Sequence, residues 1–167
     1  MEKNINIGVI GYGYWGPNLV RNFVETPGAQ VKTVSDFKPE LLAKVQARYP
    51  NIQVTTDCQD IFNDPKIDAV AIATPVSTHF DLALAALQAG KHLLVEKPMT
   101  VSSEQAMRLI EEAEKRNLVL MVDHTFVYTG AVRKMRDLVV TNVIGDIYYY
   151  DSVRVNLGLF QHDVNVI

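Results

Sequence analysis

The stretch NINIGVIGYGYWGPNLVRNFVE, residues 4–25, constrains this chain more than any other. INIGVI (5–10) is a short β-branched run that reads as a buried strand. Trp15 to about Glu25 reads as a helix, with Pro17 tolerated in its first turn. Between the two lie Gly11, Gly13 and Gly16, at the spacing G-x-G-x-x-G. A strand that becomes a helix through so short a glycine loop is the opening of a βαβ unit.

The rest of the chain repeats that rhythm. VKTVS (31–35), IQVT (52–55), IDAVAIA (67–73), HLLVE (92–96) and LVLMVD (118–123) read as strands. IDAVAIA is continuously apolar, as expected of a parallel strand covered on both faces. Helices are predicted from Pro39 to about Arg48, and from Thr78 to Ala89 with Gly90 as the C′ residue. Ser102-x-x-Gln105 has the form of a capping box ahead of Ala106, Leu109, Ile110 and Ala113 at helical spacing. A further helix is predicted near Ala131–Val140. The alternation predicts an α/β fold, a Rossmann doubly wound parallel sheet over residues 1–122. Gly145 then opens IYYYDSVRVNL, an extended alternating segment that breaks the rhythm. Residues 123–167 are therefore expected to begin a second unit containing a different sheet. The chain stops in QHDVNVI without turn, cap or polar tail, which reads as a domain cut short.

Composition narrows the partners. With 21% charged residues and a net charge of −3, the chain has no basic stripe for a nucleic acid. No apolar run approaches the about 20 residues that cross a bilayer, and Glu2 and Lys3 lead straight into a strand rather than a signal peptide. Cys58 is the only cysteine, so neither an internal disulfide nor a cysteine-based zinc site can form, and no metal site is expected. The expectation is a soluble cytoplasmic chain. Cys58, Asp57 and Asp60 read as helix-start residues, His92 as structural, and Arg133, Lys134 and Arg136 as one solvated helix face.

The glycine loop has a chemical reading. Gly11 permits the tight turn, Gly13 lets a pyrophosphate approach the backbone, and Gly16 lets the helix pack on the strand. The helix N-terminus offers N–H groups and partial positive charge to phosphate. Asp36, about 20 residues on at the end of the second strand, can accept from a ribose 2′-hydroxyl and would repel a 2′-phosphate. NAD is thus favoured over NADP. A plain glycine turn, with Asp36 capping the helix near Pro39, is the alternative. Tyr12, Tyr14 and Trp15 are bulky for such a loop. They read as cover for the first helix turn, and the backbone N–H groups of Tyr14 and Trp15 are the better cofactor contacts.

Two more strand ends carry polar groups to the same sheet edge: TPVSTH (74–79) and Glu96-Lys97-Pro98. Pro98 biases Lys97 toward extended backbone, and Glu96 stands beside the ammonium. A lysine in a partly desolvated cleft can exchange protons; a surface ion pair is the bland alternative. His79 sits at a helix start, where a cation is disfavoured, so a neutral imidazole near the cofactor is expected. His124 follows the sixth strand and is a candidate for facing the cleft.

Together these residues resemble the glucose-fructose oxidoreductase / inositol dehydrogenase / MocA family, through VIGYGYWG, AIATP and ALQAGKHLLVEKP. The resemblance spans nearly the whole chain. It makes residues 123–167 the incomplete start of an α/β substrate and oligomerisation domain. It implies hydride transfer between NAD(P) and a carbinol carbon of a sugar, cyclitol or nucleotide sugar, in a homo-oligomer when full length. It implies pyrophosphate binding at Gly11, Gly13 and Gly16, and Asp36 on the adenosine ribose. Thr74, Pro75 and His79 would line the cofactor cleft, with Glu96 near the nicotinamide. Lys97 would be catalytic, hydrogen-bonding the substrate hydroxyl. GYGYWGPNLVRNF and HTFVYTGAV are similar to members that act on nucleotide-linked amino sugars. The family's second motif, Asp-x-x-x-His, is not reached, and His162-Asp163 has the wrong order for it. Such a chain would hold cofactor and turn over poorly. A non-catalytic dinucleotide-binding module, or a nucleotide-sugar or SAM-type binder using the same loop, is the competing reading.

Overall fold

The computed structural model describes residues 4–153 and 155. They fall into two compact units that divide after Asp123. His162 and Asp163 lie outside the described residues.

The first unit is one parallel sheet. Its strands are β1 (Ile5–Ile10), β2 (Ala29–Ser35), β3 (Gln53–Thr55), β4 (Ala69–Ile72), β5 (His92–Val95) and β6 (Leu120–Val122). The order is β3-β2-β1-β4-β5-β6, and every pair is parallel. Five helices connect or follow the strands: α1 (Gly16–Glu25), α2 (Pro39–Arg48), α3 (Gln59–Asn63), α4 (His79–Gln88) and α5 (Ser103–Lys115). The strand order reverses between β1 and β4, so the carboxyl ends of those two strands open a crevice.

Helices cover both faces of the sheet, as two separate cores show. Ile7 and Val9 of β1 pack with Leu19 and Val20 of α1 and Leu42 and Val45 of α2. Ile10, on the opposite face, packs with Ile61 of α3, Leu87 of α4 and Leu109 of α5. β1 is thus apolar on both sides, which is why INIGVI carries no alternation. Burying a side chain such as Leu109, fully enclosed here, stabilises by about 2 kcal/mol.

Local signals set the helix ends. Ser102 accepts from the Gln105 N–H at α5, the first half of a capping box. The reciprocal half is absent: Oε1 of Gln105 is buried without a partner. Gly90, with φ of +76°, follows the Ala89 cap of α4 in the left-handed conformation a C′ residue needs. Asp57 Oδ1 accepts from the Gln59 N–H at the start of α3, where Cys58 is the N-cap residue. His92 accepts from the Val119 N–H, a structural bond. Lys91 is buried, and its Nζ donates to the carbonyls of Asp64 and Ile67 at 2.6 and 2.8 Å.

The second unit contains a 3₁₀ turn (Thr125–Tyr128) and α6 (Gly130–Val140). The extended segment expected after Gly145 forms no ladder among the described residues. Its alternation suits a strand, but a strand exists only with a partner to bond its backbone, and none is present there. Tyr148, Tyr149 and Tyr150 are exposed.

Glycine sites separate folding from other roles. A Cβ on Gly16 would collide with the Gly11 carbonyl oxygen, and one on Gly8 with the buried Ile61. A Cβ on Gly13 meets no atom within 4 Å. Gly16→Ala is therefore expected to cost about 3 kcal/mol, because backbone must move. Gly13→Ala should stay within about 0.5 kcal/mol of the parent. Urea unfolding followed by circular dichroism checks both, and equal losses would contradict the contrast.

Candidate active site

The glycine loop grows directly out of β1. The Gly11 N–H donates to the Ser35 carbonyl at 2.8 Å, continuing the β1–β2 ladder by one bond. Gly11 has φ of +95°, and a Cβ there would lie 2.7 Å from the Ala73 oxygen. Trp15 is the N-cap residue of α1 and makes no side-chain cap bond, while Pro17 brings no N–H to the first turn. The helix thus presents an uncapped N-terminus beside the open face of Gly13, an arrangement that accepts an anion.

Asp36 holds this loop against the next crossover. Its Oδ2 accepts from the Tyr12 N–H at 2.7 Å, and its Oδ1 accepts from the Lys38 N–H at 2.9 Å. Lys38 is the N-cap residue of α2. Ligand recognition and helix entry, read from sequence as alternatives for Asp36, are compatible: each oxygen takes one backbone donor and keeps a lone pair. The loop's aromatics diverge. Tyr12 is buried in the core, whereas Tyr14 and Trp15 stack on each other, 79% and 38% exposed.

A cleft of about 570 Å³ opens between these elements and the carboxyl end of β4. Gly13, Asp36, Phe37, Leu41, Thr74 and Leu82 contribute to its walls, with Pro75 beside Thr74. Cys58 is another wall residue, and burial, followed by the charge of Asp57, pushes its thiol pKa up. Lys38 also lines the cleft, its ammonium 5.5 Å from the Phe37 ring.

His79 lies elsewhere than expected. It is 1% exposed and is not among the cleft walls. Nδ1 lies 2.9 Å from the Pro98 carbonyl oxygen and Nε2 lies 2.9 Å from that of Thr74. No ring nitrogen remains for a cofactor, and two carbonyl acceptors flank a ring that carries one N–H when neutral. His79 therefore ties together the two strand-end segments, TPVSTH and EKP, from behind. The Lys97–Pro98 peptide within the second segment is cis.

Lys97 is exposed, so the residues of this unit do not supply the desolvated setting expected for it. Glu96 is half-buried. Its Oε2 accepts from the Lys97 N–H at 3.2 Å, and its Oε1 is buried with no donor. The Glu96 carboxyl is pushed up from an ordinary 4.5 to about 7, chiefly by burial and then by the Asp123 side chain beside it. The Lys97 N–H and charge oppose that shift. His124 is exposed and belongs to the second unit, where its carbonyl accepts from the Val127 N–H.

Residues 5–124 match the family model of an oxidoreductase family with an NAD-binding Rossmann fold, that of glucose-fructose oxidoreductase, inositol dehydrogenase and MocA. The chain belongs to this family. It is 37% identical over 153 residues to an oxidoreductase of Escherichia coli K12, YdgJ, covering 91% of this chain and 43% of that protein. It is 34% identical to the UDP-N-acetylglucosamine 3-dehydrogenase of Acidithiobacillus ferrooxidans, covering 80% of this chain and 41% of the relative. The scyllo-inositol dehydrogenase of Lactobacillus casei, solved with bound NAD(H) and scyllo-inositol, superposes with a TM-score of 0.81 at 27% identity, over 86% of this chain and 43% of that one. The chain thus spans less than half the length of these relatives.

The stretch matched to the family includes every strand of the sheet, the glycine loop and Glu96-Lys97-Pro98. Three features of this family member had no motif to announce them: the Tyr12–Asp36 bond, the inward-facing His79 and the Glu96–Asp123 neighbourhood. Each joins residues far apart in sequence.

Because the Glu96 carboxyl is raised in the folded chain, its share of stability is complete below pH 4.5 and is lost as pH climbs through about 7. Glu96→Gln should flatten the fall in melting temperature across that window. Thermal melts of both proteins at several pH values check it, and parallel curves would contradict it.

Proposed function

We propose that this chain is the cofactor-holding part of an NAD-dependent dehydrogenase acting on a carbinol of a sugar, cyclitol or nucleotide sugar. The observation that carries the reading is the open face of Gly13 beside the uncapped α1 N-terminus and the Asp36 carboxylate. The group fits this cradle: pyrophosphate oxygens meet N–H groups around Gly13, Tyr14, Trp15 and Gly16. Ribose hydroxyls donate to the lone pairs left on Asp36. Phe37, Leu41 and Leu82 offer apolar walls to an adenine ring.

The nicotinamide supplies the hydride acceptor or donor when bound. Lys97, when its Nζ is the neutral amine, would accept a hydrogen bond from the substrate hydroxyl and take its proton as the carbonyl forms; the resulting ammonium would return that proton in the reverse direction. Thr74 and Pro75 border the cofactor, and Glu96 stands beside the nicotinamide. His79 holds both segments in place. The relatives' names support the substrate class, ranging from a nucleotide sugar to a cyclitol.

Lys38 favours a second cofactor. Its ammonium lines the cleft next to Asp36, where it can attract a 2′-phosphate. Fluorescence titration decides between them. Tighter binding of NADH than NADPH, and a loss of about 10-fold or more in Gly13→Ala with the fold intact, supports the reading. Equal binding by parent and Gly13→Ala would overturn it. In the full-length enzyme, Lys97→Met should lower kcat by about 10²–10⁴ and leave NADH affinity nearly unchanged.

A further inference from the structure

The ladder between β5 and β6 pairs Val95 with Val122, and the Asp123 N–H donates to the Val95 carbonyl at 2.9 Å. Glu96 and Asp123 are therefore the next rung, side by side on one face of the sheet's carboxyl edge. The Glu96 N–H donates to the Ile72 carbonyl at 3.0 Å, so the backbone on its other side is anchored as well. Two acid side chains are held together by main-chain bonds that neither can escape without breaking the sheet's edge.

One oxygen of this pair lacks a partner. Glu96 Oε2 has the Lys97 N–H, but Oε1 is buried and receives no donor from the protein. Its neighbour, the Asp123 side chain, lies within hydrogen-bonding reach and is an acceptor when ionised. Two ionised carboxylates at this distance repel, and a buried acceptor without a donor costs free energy. A single proton on one carboxyl removes both penalties, because it turns that oxygen into a donor to the other. The charged group beside the pair is Lys97 on the same turn, with the ring of His79 of α4 meeting the turn at the Pro98 carbonyl.

We propose that Glu96 and Asp123 share one proton, and that Asp123 is a positioning residue that sets the charge of Glu96 beside Lys97. The pair then carries one negative charge in its shared state and two when the proton leaves. Asp123 is an ionisable group no motif identified, and it acts through Glu96 rather than on substrate. The second half of the idea rests on the proposed function, since it places the nicotinamide next to Glu96: loss of the shared proton would strengthen binding of the cationic NAD⁺ ring relative to neutral NADH.

The test is a pH titration of the 167-residue chain with ¹³C-labelled Asp and Glu carboxyls, assigned through the backbone and free of cofactor. The Glu96 and Asp123 carboxyl signals should follow the same two midpoints, the mark of one proton between two sites. In Asp123→Asn the upper midpoint of Glu96 should fall by about 1 pH unit. Independent single transitions in the parent chain overturn the proposal, whether or not the variant folds, and so does an unmoved Glu96 midpoint in a folded Asp123→Asn. The proposed function is read separately, from the ratio of NADH to NAD⁺ dissociation constants on either side of the upper midpoint. A several-fold rise with pH, displaced to lower pH in Asp123→Asn, supports the nicotinamide placement. A flat ratio with shared carboxyl midpoints overturns that placement and leaves the shared proton standing.

Discussion

The first turn of α1 meets the loop before it backbone against backbone, Gly16 on the Gly11 carbonyl. This contact depends on the absence of two side chains, and much else follows from it. It lets α1 turn back along β1 within five residues of the strand's end, and it leaves the helix N-terminus pointing over the sheet's carboxyl edge. Asp36 then secures the arrangement from β2, by accepting the Tyr12 N–H. The cleft is the space that remains once Gly11, Gly16 and Asp36 have set the loop. Gly13 takes no part in that packing, because a side chain there would meet only open space.

Beyond the crevice the sheet edge is organised by polar groups that face one another. His79 is buried between two carbonyls, one on each strand-end segment. Glu96 and Asp123 are set side by side by the last rung of the β5–β6 ladder. In each case the main chain decides which groups meet, and the side chains must settle their protons accordingly. Lys97 is exposed on this edge, while His79 and Glu96 beside it are buried or half-buried.

Most of the first unit was legible from short-range signals. β-branched runs bounded by Gly, Pro and polar residues marked six strands, and the helices between them followed from caps and period. The bounds moved by one or two residues where strand propensity ran past the ladder, as at Ile67, Asp68 and Ala73 around β4. The segment after Gly145 forms no ladder among the described residues, because alternation records a face, not a partner. The capping box at Ser102 was only half formed: the Gln105 N–H donates to Ser102 Oγ, but Gln105 Oε1 takes no donor in return.

The site divides along the same line. By itself the sequence determined the fold class, the family and the strand-loop-helix turn through Gly11, Gly13 and Gly16, because each follows from patterns complete within a few residues. Only the tertiary structure decided that His79 faces inward, that Asp36 serves the loop and α2 at once, and that Asp123 stands against Glu96. Those facts arise from strand order and register, which bring together residues 24, 19 and 27 positions apart. A hydrogen bond across such separations leaves no trace in spacing or composition, since neither partner needs a neighbour in sequence to make it.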